Sequence, residues 1–256
     1  MRKTVFSAAV LSFVLLCTIS GFSETSKQNV SELGLGVSTI SYKEPGLMKE
    51  EGLMWGLKGS YAYHKNLMLK VEGDVAFGRV KYTQNSNGFT GDVNDWKLEM
   101  RGLIGYDFAG AVVFTPYTGI GYRHLNDGLD ALRGGYERGS TYYYSPIGFA
   151  VSKQFANGWS WDTTLEYDIF WKGQQVSCLS RYGFNDVKND QDEGCGYRAS
   201  MLFQSKDGFG IEPYFKYWDI KQSKTAAITR NGTGVGIAFE PANNSQEIGV
   251  MLSMKF

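Results

Sequence analysis

From about residue 31 onward, apolar and polar residues alternate with a period of two, the pattern of β-strands whose two faces meet different surroundings. The clearest stretch is WSWDTTLEYDIFWK, where Trp159, Trp161, Thr163, Leu165, Tyr167, Ile169 and Trp171 oppose Asp162, Thr164, Glu166, Asp168 and Lys172. LMWGLKGSYAY sets Leu53, Trp55 and Leu57 against Lys58 and Ser60, and LMLKVEGDVAFGRV sets Leu69, Val71 and Phe77 against Lys70, Glu72 and Asp74. The same rhythm runs through SELGLGVSTISY, DWKLEMRGLIGYD, VFTPYTGIGYRHLN, TYYYSPIGFAVSK, YRASMLFQS, FGIEPYFKYWDI and EIGVMLSMKF. The reading is therefore all-β with ten strands, eight being the alternative count.

Short turns are expected near His64, Phe108, Phe155 and Asp207, and the intervening connections are longer and polar. The apolar face continues across nearly every strand and carries tryptophans, Trp55, Trp96, Trp159, Trp161, Trp171 and Trp218, near strand ends. Such rings favour a boundary that is greasy on one side and wet on the other. The polar face carries Lys58, Lys70, Glu72, Asp74, Lys97, Glu99, Arg101, Arg123, Asp162, Glu166, Asp168, Arg198, Glu212 and Lys216, with Lys172, Glu247 and Lys255 in the same phase. A soluble sandwich would have to bury the whole aromatic shell in one small core. An antiparallel up-and-down barrel spanning a membrane instead faces its rings to lipid, encloses the charges as an ion-paired network, and leaves no unpaired sheet edge. Short turns would then be periplasmic and long loops extracellular.

Composition sharpens this picture. Apolar residues make up 43% of the chain and aromatics 15%, yet no later segment is an uninterrupted apolar run of helical spanning length. Arg2 and Lys3 followed by the apolar run Val5 to Cys17 read as a secretory signal peptide over residues 1–23, leaving 24–256 as the barrel domain. The 26 basic and 26 acidic side chains balance, so nucleic acid is not an expected partner. Cys178 and Cys195 form an even pair in an exported chain, and a disulfide between them is expected.

The leader MRKTVFSAAVLSFVLLC, the strand TPYTGIGYRHL after a short turn, the charged lumen, and the final EIGVMLSMKF together resemble the small outer-membrane β-barrels of Gram-negative bacteria. That resemblance implies a place in the cell outer membrane among lipid and lipopolysaccharide. It also implies that the barrel-insertion machinery reads the last strand, with Phe256 as its insertion signal.

Chemistry is harder to find. Outer-membrane proteases need paired carboxylates and an Asp-x-His arrangement, whereas Asp219-Ile220-Lys221 has lysine at the histidine position, and Asp92 and Asp95 lie in an expected outer loop without the adjacent-pair spacing. Lipid A deacylases need a serine beside a lipid-facing histidine; His124 is followed by Leu125 and Asn126, and asparagine is no nucleophile. His64 reads as a turn residue. Asp186, Asp190, Asp192 and Glu193 make an acidic tip between the cysteines, but calcium-loop spacing is absent. No catalytic residue, metal site or organic cofactor is expected. The function that remains is structural or surface-interacting, through Arg133, Tyr136, Arg138 and the 178–195 segment, with a surface protein or glycan as partner. A narrow porin-like channel is the alternative, and a lipid-modifying or proteolytic enzyme the third reading.

Overall fold

The computed structural model describes residues 28–256, so the expected signal peptide lies outside the described residues. Ten antiparallel strands close a barrel in which each is paired with its neighbours in sequence. They are β1 (Gln28–Glu44), β2 (Met48–Lys65), β3 (Leu67–Gln84), β4 (Thr90–Tyr106), β5 (Val113–Asp127), β6 (Arg138–Gln154) and β7 (Ser160–Ser177), then β9 (Gly194–Gln204), β10 (Phe209–Ile220) and β13 (Asn243–Lys255). The short β8 (Val187–Gln191) pairs with the upper end of β7 just beyond β9, so the two act as one interrupted strand. The cylinder closes where β1 meets β13, with Leu35 opposite Leu252 and Val37 opposite Val250. The remaining two strands, β11 (Ala226–Arg230) and β12 (Thr233–Ala238), form a separate hairpin in the last long connection. Its tip, Asn231-Gly232, takes positive φ at both residues, 51° and 80°, as a two-residue turn between twisted strands requires.

The outward residues are the apolar phase of each strand. Leu35, Leu53, Trp55, Val71, Phe77, Ile120, Ile147 and Leu252 all stand exposed on the outside, an arrangement that water would oppose and hydrocarbon favours. Trp55, Phe77 and Trp96 lie side by side across β2, β3 and β4. At the turn end, Tyr106 packs on Phe108 and Phe114 on Phe149. Strands of 17 or 18 residues reach about 55 Å at ~3.3 Å per residue, well past an apolar band of roughly 25 Å. The protruding parts are polar on their outward face, so β4 begins at Thr90, inside the stretch expected to be loop. Asp92 and Asp95 are therefore strand residues.

Three assignments are corrected. Trp218 is 2% exposed and points into the bore, because on β10 it shares the phase of Glu212, Tyr214 and Lys216. Lys172 leaves the lumen phase because Tyr143 pairs with Lys172 and Tyr144 with Phe170. Trp171 is thus the extra residue of a β-bulge, and Lys172 is turned outward. Cys178 and Cys195 are free thiols. Cys195 sits opposite Ile169, and Cys178 lies nine residues further along the β7 path, roughly 30 Å away at ~3.3 Å per residue.

Candidate functional site: the filled bore and its mouth

The inward phase brings most of the expected lumen charges together. Lys58 reaches Glu212 at 2.6 Å and Lys70 reaches Glu72 at 2.7 Å. Arg101 bridges Glu72 and Glu166. Lys97 sits 2.6 Å from Glu247 and 3.4 Å from Asp74, while Lys216 links Asp74 at 3.0 Å to Glu99 at 2.7 Å. Arg198 is the hub: it contacts Glu99, Glu166 at 3.1 Å and Asp168 at 2.7 Å. Each ion thus meets opposite charge where solvent is scarce, the condition for keeping it ionised. A cavity of about 70 Å³ remains among these groups, between Lys58, Arg101, Glu166, Arg198 and Glu212, with room for a few water molecules. Asp162 stands apart, accepting hydrogen bonds from Ser152 and, at 3.2 Å, from Thr164. Arg123 makes no ion pair among the described contacts; its guanidinium covers the rings of Tyr142 and Trp218 at 5.3 and 5.9 Å.

Above this network the bore is closed by an aromatic plug missing from the sequence expectations. Tyr142, Tyr144, Phe170, Trp218 and Ile220 are all buried and pack together, with Tyr144 edge-on to Trp218 at 5.0 Å. The Tyr144 hydroxyl donates to Glu99 at 2.6 Å, which locks the plug to the ion pairs beneath it. The Tyr144 ring lies over Gly121, where a Cβ would come within 2.2 Å of the ring, so glycine there makes the space. The signal existed in sequence: Tyr142 and Tyr144 are out of phase with the outward Tyr143.

At the turn end His64 Nδ1 lies 2.7 Å from Asp107, which also accepts a hydrogen bond from Thr115 at 2.7 Å. Burial pushes the Asp107 carboxyl up, but these hydrogen bonds outweigh it and hold it below its ordinary value.

At the loop end Arg138 is buried rather than offered to a partner. It donates to Asp127 at 2.8 Å and to Glu44 at 2.6 Å, and lies 3.9 Å from Glu240. Burial, set against the Arg138 charge, pushes the Glu240 carboxyl up to about 7, with Glu44 and Asp127 adding to the rise. Leu129 and Leu132 of the β5–β6 loop fold over this mouth onto Ile40, Met48, Met54, Val80 and Val93. Arg133 is exposed and Tyr136 half-buried in the same loop. Among the described residues, Glu50, Asp95 and Asp127 form the one acidic group close enough to share an ion. The acidic tip does not converge: Asp186 caps the Ser180 N–H at 2.9 Å, Asp190 accepts from Gln174 at 3.1 Å, and Asp192 pairs with Lys224.

The enzyme candidates have other company. Asp219 pairs with Lys221 at 2.8 Å on the exposed rim. His124 stacks on Trp96 at 5.0 Å, with Nδ1 2.9 Å from the Thr141 hydroxyl. Phe256, whose backbone N–H donates to the Ser31 carbonyl at 2.8 Å, leaves its ring exposed beside the β1–β13 seam.

The profile of the outer membrane protein beta-barrel domain matches residues 9–191. Among solved structures, the outer membrane protease OmpT from Escherichia coli superposes with a TM-score of 0.58 at 10% identity, covering 92% of this chain and 99% of that one. The toluene transporter TbuX of Ralstonia pickettii gives 0.41 at 9% identity, covering 90% of each chain. Neisserial surface protein A gives 0.34 at 10%, covering 91% of this chain and 100% of that one. No curated protein matches in sequence. At these identities the likeness to OmpT concerns the fold alone.

Proposed function

Because this chain belongs to the outer membrane protein beta-barrel domain family, we propose that it serves in the outer membrane of a Gram-negative cell as a structural or surface-interacting barrel rather than as an open channel or an enzyme. The observation that carries this reading is the plug of Tyr142, Tyr144, Phe170 and Trp218 above a layer of ion pairs centred on Arg198. A ten-stranded interior is narrow enough for side chains to fill, unlike that of wide porins.

The loop end supports the same reading. Asn189 donates to the carbonyls of Lys224 and Ala238, both at 3.0 Å, so β8 holds the β11–β12 hairpin above the rim. That hairpin exposes Val235 and Ile237, the latter 72% exposed, and Phe239 stands exposed just after it. Apolar side chains displayed on a braced hairpin suit contact with a surface protein or glycan. The ion-lined cavity favours, as a second reading, a narrow path for small ions.

Purified barrel added to a planar bilayer should give no reproducible current steps; regular steps would replace this reading with the narrow-channel one. Shortening residues 178–193 and 226–238 should leave the barrel folded while abolishing surface binding or envelope attachment. Survival of every such phenotype would remove the loops from the function.

A further inference from the structure

Five carboxylates meet at the mouth of the barrel around one guanidinium. Glu44 of β1, Glu50 of β2, Asp95 of β4, Asp127 of β5 and Glu240 of the β12–β13 connection are all buried there. Among the described residues the one cation in contact with any of them is Arg138 of β6. Tyr42 of β1 donates to Glu240 at 3.0 Å, and Tyr82 of β3 packs alongside. With every group ionised, five negative charges face one positive charge in a region that excludes water. The ionic layer deeper in the bore has no such imbalance.

Within this set Glu50, Asp95 and Asp127 each place one carboxylate oxygen within 4.8 Å of the others. Arg138 takes Oδ2 of Asp127, and the Gly128 N–H at 3.2 Å takes Oδ1 of Asp95. Two oxygens receive no hydrogen bond from a nitrogen or hydroxyl donor: Asp127 Oδ1 and Glu50 Oε1 are enclosed, on residues only 6% and 2% exposed, with the two carboxyls close enough to share a proton. An enclosed carboxylate oxygen without a donor is costly, and here two belong to the same acidic group. Oxygens within 4.8 Å of one another can share one Ca²⁺ at about 2.3–2.6 Å, and an enclosed set of protein carboxylates suits Ca²⁺ better than Mg²⁺, which usually keeps several waters.

We propose that Glu50, Asp95 and Asp127 bind a divalent cation of calcium size at the top of the bore. The ion supplies the missing positive charge and fastens β2, β4 and β5 to one another directly beneath the β5–β6 loop. That loop starts at Gly128, whose N–H already rests on Asp95. A bound ion therefore holds Leu129 and Leu132 over the mouth. The three carboxylates are too enclosed to meet a macromolecular substrate, so their role is in assembly of the loop end.

The test uses the full mature barrel, refolded in detergent, stripped with EDTA and dialysed. CaCl₂ titrated at pH 7.5 should give a one-site binding heat with Kd below the millimolar range and a saturable rise in thermal midpoint, with MgCl₂ weaker. Glu50→Gln and, separately, Asp127→Asn should weaken calcium binding at least tenfold and remove the rise in midpoint. Absence of both heat and midpoint shift in the wild-type barrel overturns the proposal. So does unchanged binding in the variants, which would place the ion on the exposed acidic residues of the loops. If shared protons satisfy the carboxyls instead, calcium does nothing and Glu50→Gln matches or exceeds the wild-type midpoint. Should either variant fail to fold, Asp95→Asn takes its place, and the wild-type titration decides without any variant.

Discussion

The guanidinium of Arg198 in β9 reaches across the bore to Glu99 in β4, with Nη1 2.8 Å from Oε2. Because Arg198 also holds Asp168 and Glu166, removing it leaves the buried Asp168 without a cation and takes one from Glu99 and Glu166, which keep Lys216 and Arg101. Replacing Arg198 with Met should cost about 3–5 kcal/mol, the usual penalty for breaking a buried pair from one side. Urea titration of the barrel in lipid vesicles measures this, and a loss below about 1 kcal/mol would show that the network carries little stability.

The contact between Gly121 and Tyr144 should be intolerant of a single methyl group. A Cβ at residue 121 would meet the ring at 2.2 Å, and the ring is held by its hydrogen bond to Glu99. Gly121→Ala should therefore lose about 1–3 kcal/mol by overpacking. Gly102→Ala, whose nearest neighbour is Ile120 at 4.0 Å, should be close to neutral. Equal midpoints for the two variants would contradict the packing of the plug.

Glu240 gives the mouth a pH dependence with a definite sign. Burial raises its carboxyl to about 7 against the Arg138 charge, so the folded barrel keeps a proton that the unfolded chain releases near the ordinary glutamate value of about 4.3. Its contribution to stability is complete below that ordinary value and is lost as the pH climbs to about 7. In EDTA, the midpoint of the wild-type barrel should fall across this interval more steeply than that of Glu240→Gln. Parallel profiles would mean that Glu240 is ionised throughout.

Cys178 and Cys195 should behave as independent thiols. A disulfide needs Cα atoms within about 7 Å, and the β7 register keeps these residues far apart. Burial raises the Cys178 thiol, with Asp186, Glu137 and Asp130 adding to the rise, so its alkylation should be slow at neutral pH. Denatured, unreduced protein should accept maleimide at both residues, and gel mobility should not change with reductant. Protection of both from labelling would restore the bridge.

The strand count and the facing of most residues were legible because a strand between two unlike media must alternate. That argument weakens beyond the apolar band, where the outward face is polar, so Thr90 to Asn94 of β4 and Gly173 to Ser177 of β7 read as loop although they are paired. It also fails after a bulge, as at Lys172. Trp218 was misplaced by residue type against its own phase with Lys216. The mouth was the least visible part. Glu50, Asp95, Asp127 and Arg138 come from four strands and share no motif. Extending the Lys58 phase back through Met54 and Gly52 to Glu50, and the Lys97 phase by one step to Asp95, would nevertheless have pointed both inward.

The β1–β13 seam pairs Glu32 with Lys255. A cylinder sealed by residues so distant in the chain has a high contact order, and no partial product of synthesis can complete it. Until β13 arrives, two bare sheet edges persist, each a template for aggregation. Closure of the cylinder therefore waits for the last strand and is a single late step.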